Sequence, residues 1–537
     1  MKNIKILDCT LRDGGRIIDC KFTDNVIAEL TKELTEANID IVEMGFLRDK
    51  KLVQYHGNST FFTETAQLSA FIPVNKRNAM YTAFIDFDMY DFSCLEKCDG
   101  SSVTGIRVGF TKKQFLYQYA ELRDSLLKVK EQGYALFIQG VNTLAYSDRE
   151  LLDVIDLVNE VEPYSYGIVD TYGGMYLDDM VHLYNLVEHN LNPGICIDIH
   201  SHNNFQLSFA FAQEIIRLAN DTRQIILDST LNGMGKCAGN LNTELIADFL
   251  VRKKSYDYDT DIILDAIDRY LYPVKKTNEW GYSIPAFMAG IYKAHPNNII
   301  YLTEKYRLNS KDMKYIISGI EGETRQRYDY ENIQRVYKEY CASRIDDAEV
   351  ISALRSKLEN RHILILAPGK STEDFHEKIC NFIEQEAPIV ISVNFIPRQI
   401  ECDYLFYANT IHWEKISDRT DRTKCILASN IHTDTESTLL VDYSGLIMED
   451  SVLYDNSTIM LLNLLKKVDV ARISLAGFDG LKENEENYVD DTFPNQASDV
   501  NITKTNKEVK RLLEQYRNKV AGKIGIDFLT PSIYETL

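Results

Sequence analysis

No stretch of the 537 residues approaches the ~18 uninterrupted apolar positions that a membrane span requires. The opening Met1-Lys2-Asn3-Ile4-Lys5-Ile6-Leu7 lacks the apolar core and small-residue cleavage site of a signal peptide. Membrane insertion and export are therefore not expected, and the chain reads as cytoplasmic. Cysteine is scattered: ten residues, with Cys94 and Cys98 the closest pair and no CxxC. That excludes zinc ribbons and disulfide frameworks and suits a reducing compartment. Proline (11) and glycine (26) are too few for collagen or low-complexity disorder. Positive charge is also short, with Lys+Arg 59 against Asp+Glu 80 and a net charge of −21. Such a surface repels phosphate backbones and anionic lipids, so neither nucleic acid nor a membrane is an expected partner. An anionic substrate would need cations gathered locally.

What is present is a globular composition, 45% hydrophobic and 26% charged, in a chain long enough for two or three domains. Strand-like runs fall at 4–11, 40–46, 78–86, 105–110, 135–142, 165–173, 195–202 and 224–231. Helical patterns lie between most of them, clearest at 24–37, 113–132, 148–161, 177–190, 205–219 and 241–253, with Asp24 and Asp148 placed as N-caps. Eight β-then-α units in roughly 250 residues is the count of a (β/α)8 barrel, although a doubly wound sheet shares the alternation. The expected fold class is α/β. A TIM barrel occupies 1–260, and a helical extension follows over 261–360, with aromatic-rich patterns such as Pro285 to Tyr306 and Tyr330 to Tyr340. A second α/β open-sheet domain, Rossmann-like, fills 361–537. Its strand candidates are His362–Ala367, Ile389–Asn394, Tyr404–Ala408, Cys425–Asn430, Leu439–Tyr443 and Ala471–Ala476, and Glu483 to Asp491 reads as a solvated loop.

In a barrel the chemistry sits at the carboxyl ends of the strands, and the polar residues of this sequence gather there. The first strand ends in Asp8-Cys9-Thr10-Leu11-Arg12-Asp13-Gly14-Gly15 and the second in Glu43-Met44-Gly45. The sixth ends in Asp170-Thr171-Tyr172-Gly173, the seventh in His200-Ser201-His202-Asn203-Asn204, and the eighth runs on toward Asn240. Residues i and i+2 of a strand face the same way, so His200 and His202 would enter the mouth together. Two neutral imidazoles and a carboxylate make a facial site for a divalent cation with positions left open. Asp13 is the natural third ligand, since strands one, seven and eight adjoin in a closed barrel; a hydrogen-bonded histidine pair on an ordinary strand is the alternative. Arg12 beside Asp13 suits a division of labour, in which a metal at Asp13 chelates a 2-oxo acid and the guanidinium stabilises the enolate on its ketone oxygen. A structural Arg–Asp pair closing the barrel end is the plainer alternative.

Asp8-x-Thr10 followed by Leu11-Arg12-Asp13-Gly14, then His200-x-His202, then Gly233-x-Gly235-x-x-x-Gly239-Asn240, resemble the DRE-TIM metallolyase superfamily. Its members include 4-hydroxy-2-oxovalerate aldolase, 3-hydroxy-3-methylglutaryl-CoA lyase, and the isopropylmalate and homocitrate synthases. The resemblance covers about residues 1–285. It implies a TIM barrel with a divalent metal, Mn2+ or Mg2+ with Zn2+ or Co2+ as alternatives, held by Asp13, His200 and His202, with Asn240 as a metal-site residue. It also implies an aldolase or lyase that cleaves or forms a C–C bond of a 4-hydroxy-2-oxo acid through a metal-stabilised pyruvate enolate. By position Arg12 is the enolate stabiliser and Glu43 the family's acidic residue on strand two, grouped with Asp170 and Thr171 as substrate-binding. The segments from Asp170 and from Gly281 look closest to the aldolase branch, which makes Tyr172 and Tyr282 catalytic candidates beside Arg16. The implied partners are a small 2-oxo acid and an aldehyde, in a homo-oligomer. An acyl-CoA-dependent Claisen synthase is the alternative reading, although no basic cluster for CoA stands out.

One position departs from that pattern. The aldolases carry a histidine base three residues after the motif aspartate, and here that residue is Arg16, which cannot accept a proton near neutral pH. The base candidates are then Tyr172, Tyr282, His56, Cys237 or a metal-bound water, and Arg16 is free to bind a second anionic group. In the C-terminal domain, Leu364 to Ser371 suggests a phosphate loop that lacks its first glycine. With Ser392-Val393-Asn394, Gly477 to Gly480 and Phe528 to Ser532, it resembles the nucleotide-binding domain of bacterial sialyltransferase-like proteins, which implies a nucleotide or nucleotide-sugar ligand. An ordinary tight turn is the other reading.

Overall fold

The eight apolar runs of the first half become eight parallel strands: β1 (Ile4–Asp8), β2 (Ile41–Leu47), β3 (Met80–Asp86), β4 (Gly105–Phe110), β5 (Ala135–Gly140), β6 (Ser165–Asp170), β7 (Cys196–Ser201) and β8 (Ile225–Ser229). In this computed structural model β1 pairs with β8 on one side and β2 on the other, which closes the barrel. The structure describes residues 3–535 except 221, 307–309, 327–328, 342–344, 410–411, 415–419, 432–437, 448–455, 483–486 and 490–501. Several strands stop short of their apolar runs because the polar tails leave the sheet. Beyond Asp8, for example, the amides of Arg12, Asp13 and Gly14 all turn back onto the Cys9 carbonyl at 3.1, 2.8 and 3.2 Å.

The barrel helices include α1 (Asp24–Glu36), α2 (Lys112–Tyr117), α3 (Tyr119–Glu131), α4 (Asp148–Val161), α5 (Leu177–Asn190), α6 (Ser208–Leu218) and α7 (Thr243–Lys254). The expected 113–132 helix is broken at Gln118, whose φ of −128° is not helical. The caps also fall one residue earlier than expected. Thr23 accepts from the Val26 amide and Ser147 from Glu150, whose carboxylate returns the bond to Ser147 in a capping box. A hydroxyl one position ahead satisfies the free amides, leaving Asp24 and Asp148 as favourable charges in the first turn. α4 buries Leu151, Val154, Ile155, Val158 and Val161, the 3-4 spacing of a core-facing stripe.

Strand alternation sorts the barrel interior into layers. Leu7, Ile41, Phe137, Cys196 and Ile226 form a buried apolar cluster with Cys9. The next inward positions along the same strands, two residues on, are Glu43, Gln139, Asp198 and Asp228, with Arg107 from β4 among them. Two residues further along β7 comes His200, and then His202.

The chain divides into two compact units, Met1–Ile300 with Glu321–Tyr328, and Tyr301–Ile320 with Asp329–Leu537. The helices of the 261–360 stretch, among them α8 (Ile284–Tyr292), α9 (Pro296–Tyr306) and α10 (Tyr330–Cys341), are thus shared between them. The pattern from Pro285 to Tyr306 is two helices, separated where Lys293 takes a left-handed φ of 48°. The second unit holds a wholly parallel sheet of β9 (His362–Leu366), β10 (Ile389–Val393), β11 (Tyr404–Tyr407), β12 (Cys425–Ala428), β13 (Leu439–Val441), β14 (Arg472–Ala476) and β15 (Gly525–Phe528). Its order is β13-β12-β11-β10-β9-β14-β15. β15 has no counterpart among the strand candidates of the sequence: it is a four-residue edge strand with no fully buried position, so it carries little apolar signal. Most of the acidic stretch Glu483 to Asp491 lies outside the described residues. Among the described residues no helix is long and apolar enough to cross a membrane.

Candidate active site

Asp13, His200 and His202 converge at the mouth of the barrel, each offering one ligand atom, all within 4.8 Å of one another. β7 delivers the two imidazoles by its two-residue repeat, and they stand edge to face with ring centres 5.2 Å apart. His202 Nε2 lies 3.7 Å from Asp13 Oδ2. Burial lowers both imidazoles to about 4, against the opposing pull of Asp13, so both are neutral at physiological pH. Burial alone would raise Asp13, but Arg12, then His202, His200 and Arg16, outweigh it and hold the carboxyl well below the usual range. Two neutral nitrogens and a permanent carboxylate form the donor set that suits a borderline divalent cation.

Asn240 completes the set in a way that tests it. Its Nδ2 donates to Asp13 Oδ2 (3.0 Å) and to the Met234 carbonyl (3.1 Å), while its Oδ1 is buried with no hydrogen-bond partner. A buried acceptor left bare beside a carboxylate and two imidazoles is what a bound cation would satisfy. Gly239 makes this placement feasible: with φ at 75°, it brings the chain back against Gly233, where a Cβ would strike the Gly233 carbonyl. The glycine-rich segment therefore serves backbone against backbone.

Arg12 is 4% exposed and fully committed on one side. Its Nε donates to Glu43 Oε2 and one terminal nitrogen to Asp13 Oδ1, both at 2.6 Å. Its guanidinium also lies 4.5 Å above the Phe84 ring. Glu43 has no exposure and is shared with Arg107 at 3.1 Å, so it holds both arginines from below. Asp170 and Thr171 organise backbone. Asp170 accepts from the Gly174 and Met175 amides (3.0 and 3.2 Å), and Thr171 Oγ1 accepts from Asn142 N at 2.8 Å.

Arg16 is 40% exposed and lies 3.5 Å from Asp13 and 3.8 Å from Asp86, with its guanidinium 4.6 Å over the Phe46 ring. Arg48 shares that ring at 4.4 Å and pairs with Asp86 at 2.5 Å. Tyr172 gives its hydroxyl to the Gln326 carbonyl at 3.2 Å, and burial raises it to about 12. Burial raises Cys237 to about 12 as well, so both keep their protons at neutral pH. Tyr282 is 57% exposed on the segment tied to the β8 loop through Gly281 N and the Cys237 carbonyl. His56 is exposed.

Beneath these residues lies a network absent from the sequence-based site. Arg107, with no exposure, reaches Asp198 at 3.0 Å and Asp228 at 2.5 Å, and Gln139 donates to Asp198 at 2.7 Å. Asp228 in turn bonds His200 Nδ1 at 2.9 Å, which leaves the other ring nitrogen for the Asp13 side. Burial raises Asp198 to about 7, with Asp228 adding to it. The sequence does carry a signal for this layer: Arg107 and Asp228 are lone charges inside the otherwise apolar runs of β4 and β8.

Residues 128–270 match the HMGL-like family model. Over that stretch the barrel resembles the HMGL-like family. Curated relatives of this barrel span two kinds of enzyme. The (R)-citramalate synthase of Methanocaldococcus jannaschii is 26% identical over 49% of this chain and 51% of its own. The 2-isopropylmalate synthase of Pyrococcus furiosus is 23% identical over 50% of this chain and 53% of its own. The 4-hydroxy-2-oxovalerate aldolase of Pelotomaculum thermopropionicum is 24% identical over 58% of this chain and 89% of its own. The chain therefore spans about half the length of the synthases and most of the aldolase. Among solved structures, the HMG-CoA lyase of Brucella melitensis is 12% identical with a TM-score of 0.42, covering 51% of this chain and all of its own.

Proposed function

We propose that this barrel is a divalent-metal-dependent aldolase that cleaves or forms a C–C bond of a 4-hydroxy-2-oxo acid, by way of the enolate of pyruvate. The observation that carries this reading is the convergence of Asp13, His200 and His202 on one point beside the buried, doubly anchored Arg12. A divalent cation bound by those three and Asn240, Mn2+ or Mg2+ in first place and Zn2+ or Co2+ in second, would polarise the ketone and carboxylate oxygens of the substrate. Arg12, with Nε and one terminal nitrogen held by Glu43 and Asp13, keeps its other terminal nitrogen for the ketone oxygen where negative charge develops. Because its anchors are in place beforehand, little reorganisation accompanies that charge. Asp228 fixes the His200 ring so that the same nitrogen always faces the site. Arg16 and Arg48 share the carboxylate of Asp86, and Arg16, 40% exposed and also 3.5 Å from Asp13, presents a guanidinium that favours a substrate with a second anionic group.

The test is direct. Metal-loaded protein should exchange the methyl protons of pyruvate in D2O and release pyruvate from 4-hydroxy-2-oxo acids, faster from 4-hydroxy-2-oxoglutarate than from 4-hydroxy-2-oxovalerate. EDTA should abolish both activities, and full activity in EDTA would sink the scheme. A second reading, an acyl-CoA-dependent Claisen synthase, is favoured by the synthases among the relatives. Free-thiol release from acetyl-CoA with a 2-oxo acid, without pyruvate release from hydroxy-oxo acids, would decide for it.

A further inference from the structure

In the second unit β9 is flanked by β10 and β14, so the direction of chain crossover reverses between β9 and β14. Ligands of open parallel sheets bind outside the carboxyl ends of the strands at such a reversal. A cleft of about 370 Å3 lies at that point, lined by the residues that follow β9, β14 and β15. Its volume is that of a small-molecule site, about 300–1,000 Å3 in general.

The turn after β9, the candidate phosphate loop, is already filled by the protein itself. Gly369 N donates to the Gly477 carbonyl at 2.9 Å, and the amides of Thr372, Glu373 and Asp374 bond back to Gly369 and Lys370 at 3.0, 3.0 and 3.2 Å. Ser371 donates through its amide (2.8 Å) and its hydroxyl (2.5 Å) to the Asp479 carboxylate. Gly369 allows this closeness, since a Cβ there would strike the Gly477 carbonyl and the Asp479 carboxylate. A phosphate in this turn would compete for the same donors and meet the charge of Asp479.

The remaining lining describes a different ligand. Among the described lining residues two lysines, Lys370 and Lys482, stand against two aspartates, Asp374 and Asp479. Lys370 is also 3.3 Å from Glu373, so this lining carries no excess of positive charge for an anion. Phe375 and Ile533, 37% and 41% exposed, give it an apolar wall. Carboxylates beside an exposed aromatic ring match a ring that carries hydroxyl donors on its rim and C–H bonds on its face.

We propose that this cleft binds a neutral, hydroxyl-rich ring of monosaccharide size, with Asp479 and Asp374 accepting from its hydroxyls and Phe375 lying against its C–H face. The proposal does not depend on the barrel reaction.

The experiment is saturation-transfer NMR and calorimetry on the full chain, with glucose, galactose, mannose and N-acetylglucosamine as probes. At least one sugar should bind saturably, should not be displaced by equimolar inorganic phosphate or ATP, and should bind five-fold or more weakly to Phe375→Ala. Because Phe375 is exposed, that variant should melt with the wild type, and the comparison holds without loss of fold; Asp479→Asn, which retains an acceptor for Ser371, serves as the second variant and should weaken the same sugar. No saturable binding by any of the four sugars would overturn the proposal. So would displacement by phosphate or ATP, or affinity unchanged in both variants.

Discussion

The barrel mouth and the cleft of the second unit occupy the same position in their sheets, beyond the carboxyl ends of parallel strands, yet the carboxylates there live differently. Asp13 would be raised by burial, but Arg12 and the two histidines reverse this and keep it ionised, as a ligand must be. Asp479 is raised by burial, which its bonds from Ser371 only partly offset. The barrel supplies its carboxylate with cations because closure brings β1, β7 and β8 together around one axis. The open sheet supplies the amide and hydroxyl of Ser371, with Lys482 a weaker cationic influence that does not reverse the shift. Position in the fold is therefore shared, and the chemistry follows from what each geometry lets converge on the carboxylate.

The largest effect that could break this contrast is Arg107→Met. Removing the cation that Asp198 and Asp228 share, and one of the two on Glu43, strands buried charge, and the barrel should lose about 3–5 kcal/mol in urea unfolding. A loss below about 1 kcal/mol would mean that the cation is not what makes the barrel layer tenable. Next is Asp228→Asn, which keeps the shape but weakens the hold on His200; metal titration should show about 10–100-fold lower affinity. An unchanged affinity would remove the second layer from the site. In the second unit, Gly369→Ala should cost about 1–3 kcal/mol by pressing on Gly477 and Asp479, measured as the urea midpoint of that unit.

The smallest effect, and the most sensitive to conditions, concerns Asp170, which burial raises to about 7 despite the bonds from Gly174 and Met175. A carboxyl raised on folding contributes stability that is fully present below its unfolded value of about 4 and is lost as pH rises from there through about 7. Melting of wild type and Asp170→Asn should therefore diverge across that window, with the wild type losing ground as pH rises. Parallel curves would show that Asp170 is not held in its acid form.

Much of this is written locally. Short β-branched runs at regular spacing announce the barrel, and the two-residue repeat by itself places His200 and His202 on one face. The polar clusters at strand ends mark the mouth. The capping hydroxyls Thr23 and Ser147 lie one residue away from the expected caps because an aspartate at the first helical turn and an aspartate cap look alike in sequence. The short edge strand β15 escapes the pattern because it buries little.

What sequence alone determined is which residues lie on which face of which strand, since that depends only on a period of two along one chain. What tertiary structure decided is which of them meet. That Arg12 is held by Glu43, that His200 is held by Asp228 and through it by Arg107, and that Asp479 fills the turn at Ser371 are contacts across 31, 28 and 108 residues of chain. No local pattern encodes them, because they exist only once closure of one sheet and reversal of the other bring distant strands side by side.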